Sequence, residues 1–216
     1  MRHSIAAVLT LAIGMALSSG ARAQDPMDRP GLDIAVRFGF AYPFGKVTGD
    51  PGDGLSQGFS GAVPIVLEAG YRINAYVTVG VLAQLGYALV AENQTTGCGG
   101  SVSCSGSVMR LGIEALFRIP VEGPVVPWLG VGTGYEWLSI DASGYGATDS
   151  VGAHGFELAT LQGGGDFHIS SSFSLGPFVS FSLARFDTAT GTDSADIQNK
   201  ALHEWLQIGL KGTFSL

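Results

Sequence analysis

Charge is scarce in this chain. Asp, Glu, Lys and Arg make up 13% of its 216 residues, roughly half the share of an ordinary soluble domain. That excludes a large wet surface built from long charged side chains. Positive charge is scarcer still, with 11 Lys and Arg against 18 Asp and Glu, a net of −7. An acidic chain repels phosphate, which excludes nucleic-acid binding through a basic face. Cysteine is nearly absent: two thiols, with no neighbouring His, cannot complete a tetrahedral zinc site. The 33 glycines have no period of three, so the chain is not collagen-like. What it has in quantity is apolar residues, 46% of the total, which excludes intrinsic disorder.

Residues 1–23 read as a cleaved signal peptide. Met1-Arg2-His3 is a positive start, residues 5–17 are an apolar run, and Ala21-Arg22-Ala23 supplies small residues before Gln24. The run falls short of the ~20 residues that a spanning helix needs. Residues 24–31 then form a short N-terminal segment, and 32–216 form one folded unit. Export places Cys98 and Cys104 in an oxidising compartment, and their Gly- and Ser-rich surroundings (TTGCGGSVSCSGS) predict a small loop disulfide.

In the remainder, apolar residues recur every second position. Leu32, Ile34, Val36, Phe38, Phe40 and Tyr42 alternate with Asp33, Ala35, Arg37, Gly39 and Ala41. The same rule predicts eight strands, over 32–42, 63–71, 76–89, 110–119, 128–137, 158–167, 173–183 and 206–216. Residues 73–91 carry no charge, but strict alternation, Gly80 and Gly86 mark them as strand rather than helix. Connections alternate between long (43–61, the cysteine loop, 141–155, 188–200) and short. That order suits a meander with one end facing the outside and the other a narrow compartment.

The minority face is made of small and polar residues, as if it had to fit a closed space. It carries Asp33, Arg37, Glu68, Gln84, Arg110, Glu114, Glu136, Gln162, Asp166, Gln207 and Lys211. The apolar face carries aromatics at both ends: Tyr71, Phe117, Phe167, Phe173 and Phe214 toward the short turns, and Phe40, Tyr42, Tyr87, Tyr135 and Trp137 toward the long loops. Strands of about ten to twelve residues are long enough to cross a bilayer at a tilt. Together these features predict an all-β fold, an eight-stranded antiparallel up-and-down transmembrane barrel. Two aromatic girdles flank its aliphatic band, and its lumen is narrow enough to be filled by side chains. Pro64 and Pro177, inside strands, are places for a break in the ladder.

The segments PWLGVGTGYEWL, SLGPFVSFSLARF and WLQIGLKGTFSL, with ARAQ at the cleavage site, give the chain its resemblance to a known group. It resembles the eight-stranded outer-membrane β-barrels of Gram-negative bacteria, the OmpA/OmpX/OmpW-like "porin family" proteins. The resemblance implies an outer-membrane location, contact with outer-membrane lipids and lipopolysaccharide, and recognition of the last strand by the barrel-assembly machinery. That strand usually ends in Phe; here Phe214 precedes Leu216 by two.

Motifs for chemistry are sparse, and no cofactor, metal or catalytic set is expected. Gly54-Leu55-Ser56-Gln57-Gly58 fits G-x-S-x-G but lies in a loop rather than at a strand-to-helix elbow. Asp50 and Asp53 do not have EF-hand spacing. The expected role is structural or surface-interacting, through acidic loops carrying Asp50, Asp53, Asp141, Asp149, Asp187, Asp193 and Asp196, with a ligand that the sequence does not identify. A narrow channel for small solutes or ions is the alternative, gated by Arg37, Glu68, Glu114 and Glu136. A rim enzyme acting on lipid through His154 or His203 is the third reading.

Overall fold

The computed structural model describes residues 29–91, 98–99, 101–121, 123–144, 147–191 and 194–216. The expected signal peptide and most of the N-terminal segment lie outside these residues. The alternating stretches form β1 (Gly31–Gly45), β2 (Phe59–Arg72), β3 (Val77–Val90), β4 (Ser103–Arg118), β5 (Val125–Gly144), β6 (Ala147–His168), β7 (Phe173–Thr190) and β9 (His203–Ser215). A single helical turn, α1 (Leu55–Gly58), precedes β2, and a short β8 (Ser194–Asp196) folds back on the end of β7. No helix among the described residues is long and apolar enough to cross a membrane.

Neighbours in sequence pair antiparallel from β1 through β7. Then β9 joins β7 to β1, and β6 pairs β7, so eight strands close into a ring. Closure follows from the alternation. Ile65, Leu85, Ile113, Leu161 and Ile208 are 55% to 64% exposed, while the intervening charged and aromatic residues are buried in the centre. The aliphatic rows therefore face outward, an arrangement that water penalises and hydrocarbon rewards. Residues 73–76, 119–124 and 169–172 make the short connections, at the end that also holds Gly31 and Ser215.

The seam between the first and last strands depends on two glycines. Gly39 faces Gly209, and a Cβ on either would lie 2.0 Å from the carbonyl oxygen of Ile208 or Phe38. Pro64 in β2 and Pro177 in β7 each interrupt one ladder. β1–β2 pairing skips from Phe38↔Ile65 to Ala41↔Ala62 around Pro64. β6–β7 pairing skips from Gly164↔Phe178 to Phe167↔Leu175 around Pro177. A proline has no N–H to give the ladder.

Three expectations need correction. The strands run 13 to 22 residues, longer than the apolar pattern shows. The expected long loop at 141–155 is mostly strand, since β5 and β6 stay paired up to Gly144↔Ala147. Beyond the bilayer both faces meet water, so the apolar period fades although the backbone keeps its ladder. Finally, alternation along 158–167 places Leu158 on the inward side with Gln162, whereas it points outward. A bulge, where Glu157 pairs Ala184 but Ala159 pairs Leu183, changes the phase of β6 and brings Glu157 inside.

Gly209→Val should destabilise the barrel by about 3 kcal/mol or more, because the side chain must enter the β1–β9 seam. A urea titration in lipid vesicles, read by the heat-sensitive gel mobility of the folded form, measures it.

Candidate functional site

The interior is organised in three polar tiers, ordered by register. At the short-turn end, Asp33 on β1 accepts from Arg72 on β2 at 2.9 Å, from Arg118 on β4 at 2.8 Å and from Ser215 on β9 at 2.8 Å. Arg72 also donates its Nε to the carbonyl of Arg29. Nearby, Trp128 Nε1 donates to Asp166 at 3.0 Å.

At mid-height, Arg37 spans the lumen. Its guanidinium donates to Glu68, to Gln162 and, at 2.9 Å, to Glu114. Gln162 closes the circuit with a 2.7 Å bond to Glu114, and Lys211 pairs Glu68 at 3.0 Å. The two cations and two carboxylates balance, and all four side chains are buried. Aromatic rings supply the remaining walls: Arg37 lies 5.3 Å from the Phe178 ring and Lys211 4.6 Å from the Trp128 ring. Gly164, beneath the Trp128 ring, leaves it room, while the space at Gly130 is filled by Leu116 and Gln162.

The upper tier centres on Glu136, which is fully buried. It pairs with Arg110 at 2.9 Å, accepts from Trp205 Nε1 at 3.2 Å and meets His203 Nε2 at 3.3 Å. Arg110 also reaches Glu157 at 3.3 Å, and Thr160 donates to Glu157. The His203 ring stacks on Phe186 with centroids 4.0 Å apart.

Above this tier the lumen turns apolar. Phe59, Ala88, Val108, Leu138, Phe186 and Trp205 from the wall pack with two loop residues, Leu55 of α1 and Ile197 after β8. Leu55 is wholly buried. The two loops are also tied to each other, by Gly49 N–H to Asn199 O at 2.7 Å and by Asn199 Nδ2 to Asp50 at 2.9 Å. The mouth is thus covered by side chains that reach in from above.

The sequence-derived lumen set Arg37, Glu68, Gln84, Arg110, Glu114, Glu136, Gln162, Gln207 and Lys211 lies inside the barrel, with Asp33 and Asp166. The tiers bring most of them together. Gln84 sits opposite Arg110 on the neighbouring strand, and Gln207 Nε2 has no hydrogen-bond partner among the described residues. Sequence reading missed Arg72, Arg118, Glu157, His203 and Trp205. Arg72 and Arg118 end their strands, where alternation merges with the turn. His203 and Trp205 precede the apolar start of β9 yet keep its inward parity, which was the available signal.

The girdle residues Tyr42, Tyr71, Tyr87, Phe117, Phe167 and Phe214 are exposed on the outer wall, and Phe173, Tyr135 and Trp137 partly so. Cys98 and Cys104 are joined by a disulfide, with Cα atoms 5.8 Å apart. The G-x-S-x-G segment forms α1 ahead of a strand, the reverse of the nucleophile-elbow order. Among the described residues, no three His, Cys, Asp or Glu side chains are placed to hold a metal ion.

No protein-family model and no curated protein sequence matches the chain. Solved structures do. The outer membrane protein AlkL, solved in DMPC lipid bilayers, has a TM-score of 0.55 at 16% identity, with 93% of this chain and 98% of that one covered. A major outer membrane protein from Thermus thermophilus has a TM-score of 0.53 at 12% identity, covering 87% and 100%. The outer membrane protein OprG from Pseudomonas aeruginosa has a TM-score of 0.50 at 12% identity, covering 88% and 99%. At these identities the likeness is one of fold, an eight-stranded closed antiparallel barrel.

Removing Arg37 leaves Glu68 and Glu114 facing one another without their shared cation. Arg37→Ala should cost about 3–5 kcal/mol, and Arg37→Ala combined with Glu114→Gln should cost less. Equilibrium unfolding of the three proteins in the same vesicles compares them.

Proposed function

We propose that the chain is an outer-membrane β-barrel of a Gram-negative bacterium, exported by a signal peptide over residues 1–23, with a structural or surface-interaction role. The observation that carries this reading is the filled interior: three bonded polar tiers and an apolar plug occupy the lumen from the short-turn end to the mouth. Such a wall gives bilayer hydrocarbon its aliphatic face, while the exposed ends of the long hairpins remain free to meet partners. Asp50, Asp53, Asp141 and Asp196 are exposed there and make that surface acidic; Asp193 lies outside the described residues. Outer-membrane lipids and lipopolysaccharide would surround the wall. The barrel-assembly machinery would read β9, whose Phe214 faces outward.

The channel reading has less support, because Arg37, Glu68 and Glu114 of the proposed gate are bonded into one cluster across the centre and Glu136 is held by Arg110 in the tier above. The rim-enzyme reading has less still. His154 meets Tyr135 on the outer wall and His203 meets Glu136 inside, so the two do not share a reacting centre.

The test is conductance in a planar bilayer. The wild-type protein should show no resolved openings, and Glu114→Ala should also remain silent because the plug above it is untouched. Stepwise openings that change with Glu114→Ala would instead favour the channel. A second arm replaces Phe186 and Trp205 by Ala together, which should admit ions if the plug is the seal.

A further inference from the structure

The outer wall carries a polar cluster that the aliphatic band does not explain. It lies at the level of the long-loop girdle, over β5, β6 and β7. His154 sits beside Trp137 in the β5–β6 ladder, and its Nδ1 is 2.6 Å from the Tyr135 hydroxyl. With Tyr135 donating, the remaining proton sits on Nε2, which is left as a donor. Two pairs lower, Phe156 is flanked by Tyr135 on β5, ring to ring at 5.0 Å, and by Arg185 on β7.

Arg185 points out of the barrel, with its side chain 41% exposed. Its Nη2 meets Asp187 at 3.0 Å, and its Nε has no hydrogen-bond partner among the described residues. Lys200 shares the same Asp187 oxygen at 2.8 Å. Two cations around one carboxylate leave a surplus positive charge. A guanidinium on the lipid-facing wall is costly unless it finds an anion there.

On the side of Phe156 away from Arg185, in the same row and in the outward row below it, lies a groove of about 430 Å³, lined by Leu111, Ile113, Thr133, Tyr135 and Phe156 with the backbone of Gly112 and Gly134. It exists because Thr133 is the one short outward side chain between Val131 and Tyr135. Thr133 also turns its hydroxyl back, donating at 2.7 Å to the Glu157 carbonyl beside the β6 bulge. The groove is apolar, open along its length and continuous with the hydrocarbon-facing band.

We propose that this patch binds a phosphorylated lipid of the surrounding leaflet, the phosphate held by Arg185 and His154 and one acyl chain lying in the groove beside Thr133. The proposal rests on the outer-membrane reading above and adds a specific ligand class to it. Arg185 supplies the charge-assisted donors that a phosphate takes best. Phe156 stands between the cation and the groove, so headgroup and chain are engaged from one side chain to the next. Lys200 lies on the loop side of the phosphate and adds attraction from above.

The experiment uses the full folded chain in detergent micelles, read by native mass spectrometry. The probes are didodecanoyl phosphatidate, didodecanoyl glycerol and inorganic phosphate. Phosphatidate should bind at least tenfold more tightly than the glycerol, and Arg185→Ala should weaken it about tenfold without changing the glycerol. Arg185→Lys should recover part of the loss. Thr133→Leu, which fills the groove without touching the lumen, should weaken both lipids. Equal binding of the two lipids, or wild-type binding by both Arg185→Ala and Thr133→Leu, overturns the proposal. Full displacement of phosphatidate by millimolar phosphate assigns the patch to a free anion and overturns it as well. The heat-sensitive gel mobility of each variant is recorded alongside; its absence from the wild type would sink the barrel reading itself, a separate failure.

Discussion

In hydrocarbon a backbone N–H or C=O has no water to bond, so every peptide group in the wall must find its partner within the wall. A flat sheet leaves two bare edges; a closed one leaves none. The rest of this structure follows from that requirement. β9 pairs β7 on one side and β1 on the other, and the last residue exchanges backbone bonds with Leu32 at 2.8 and 3.2 Å. Two interruptions of the ladder fall at Pro64 and Pro177, which cannot donate, and each lasts two residue pairs before register resumes unshifted.

Closing eight strands creates an interior, and its contents are constrained as sharply as the outside. Buried charges are tolerated only in balanced groups with their hydrogen-bonding capacity in use. The mid-height tier meets this condition with Arg37 and Lys211 against Glu68 and Glu114, and with Gln162 bridging what the ions leave over. The tiers contribute little net stability by themselves, since buried ion pairs break even at best. Their value lies in register: bonds such as Arg37 to Glu114, Arg118 to Asp33 and Trp205 to Glu136 join strands that are not neighbours, so a slip of one strand would separate partners contributed by several others. The aromatic residues Trp128, Phe178 and Trp205 then fill what the ions cannot, with their faces toward cations and the two indole N–H groups toward carboxylates.

Much of this is readable from parity alone. Once Ile34, Val36 and Phe38 are placed outside, Arg37 has to be inside, and the same step locates Glu68, Glu114 and Lys211. Parity fails where its physical cause weakens. At the β6 bulge an extra residue reverses the phase, so strict alternation puts Leu158 inside and passes over Glu157, the second partner of Arg110. Above the membrane the selection for an apolar face ends, and the composition of 141–155 resembles a loop although its backbone remains paired. The plug is not legible either. Nothing local to Leu55 or Ile197 marks them as residues that descend into a barrel mouth; that depends on two loops meeting in space.

The unequal heights of the strands have an outward consequence. β4 through β7 remain hydrogen-bonded well past the upper girdle, whereas β1, β2 and β3 end sooner. From Trp137 to Gly144 the β5 ribbon continues for roughly 24 Å along its length at about 3.4 Å per residue. The long-loop end of the barrel therefore has the form of a half-collar, tall on one flank and low on the other. A molecule approaching from the tall side would meet pleated sheet, and only from the low side would it reach the tied loops that lid the barrel.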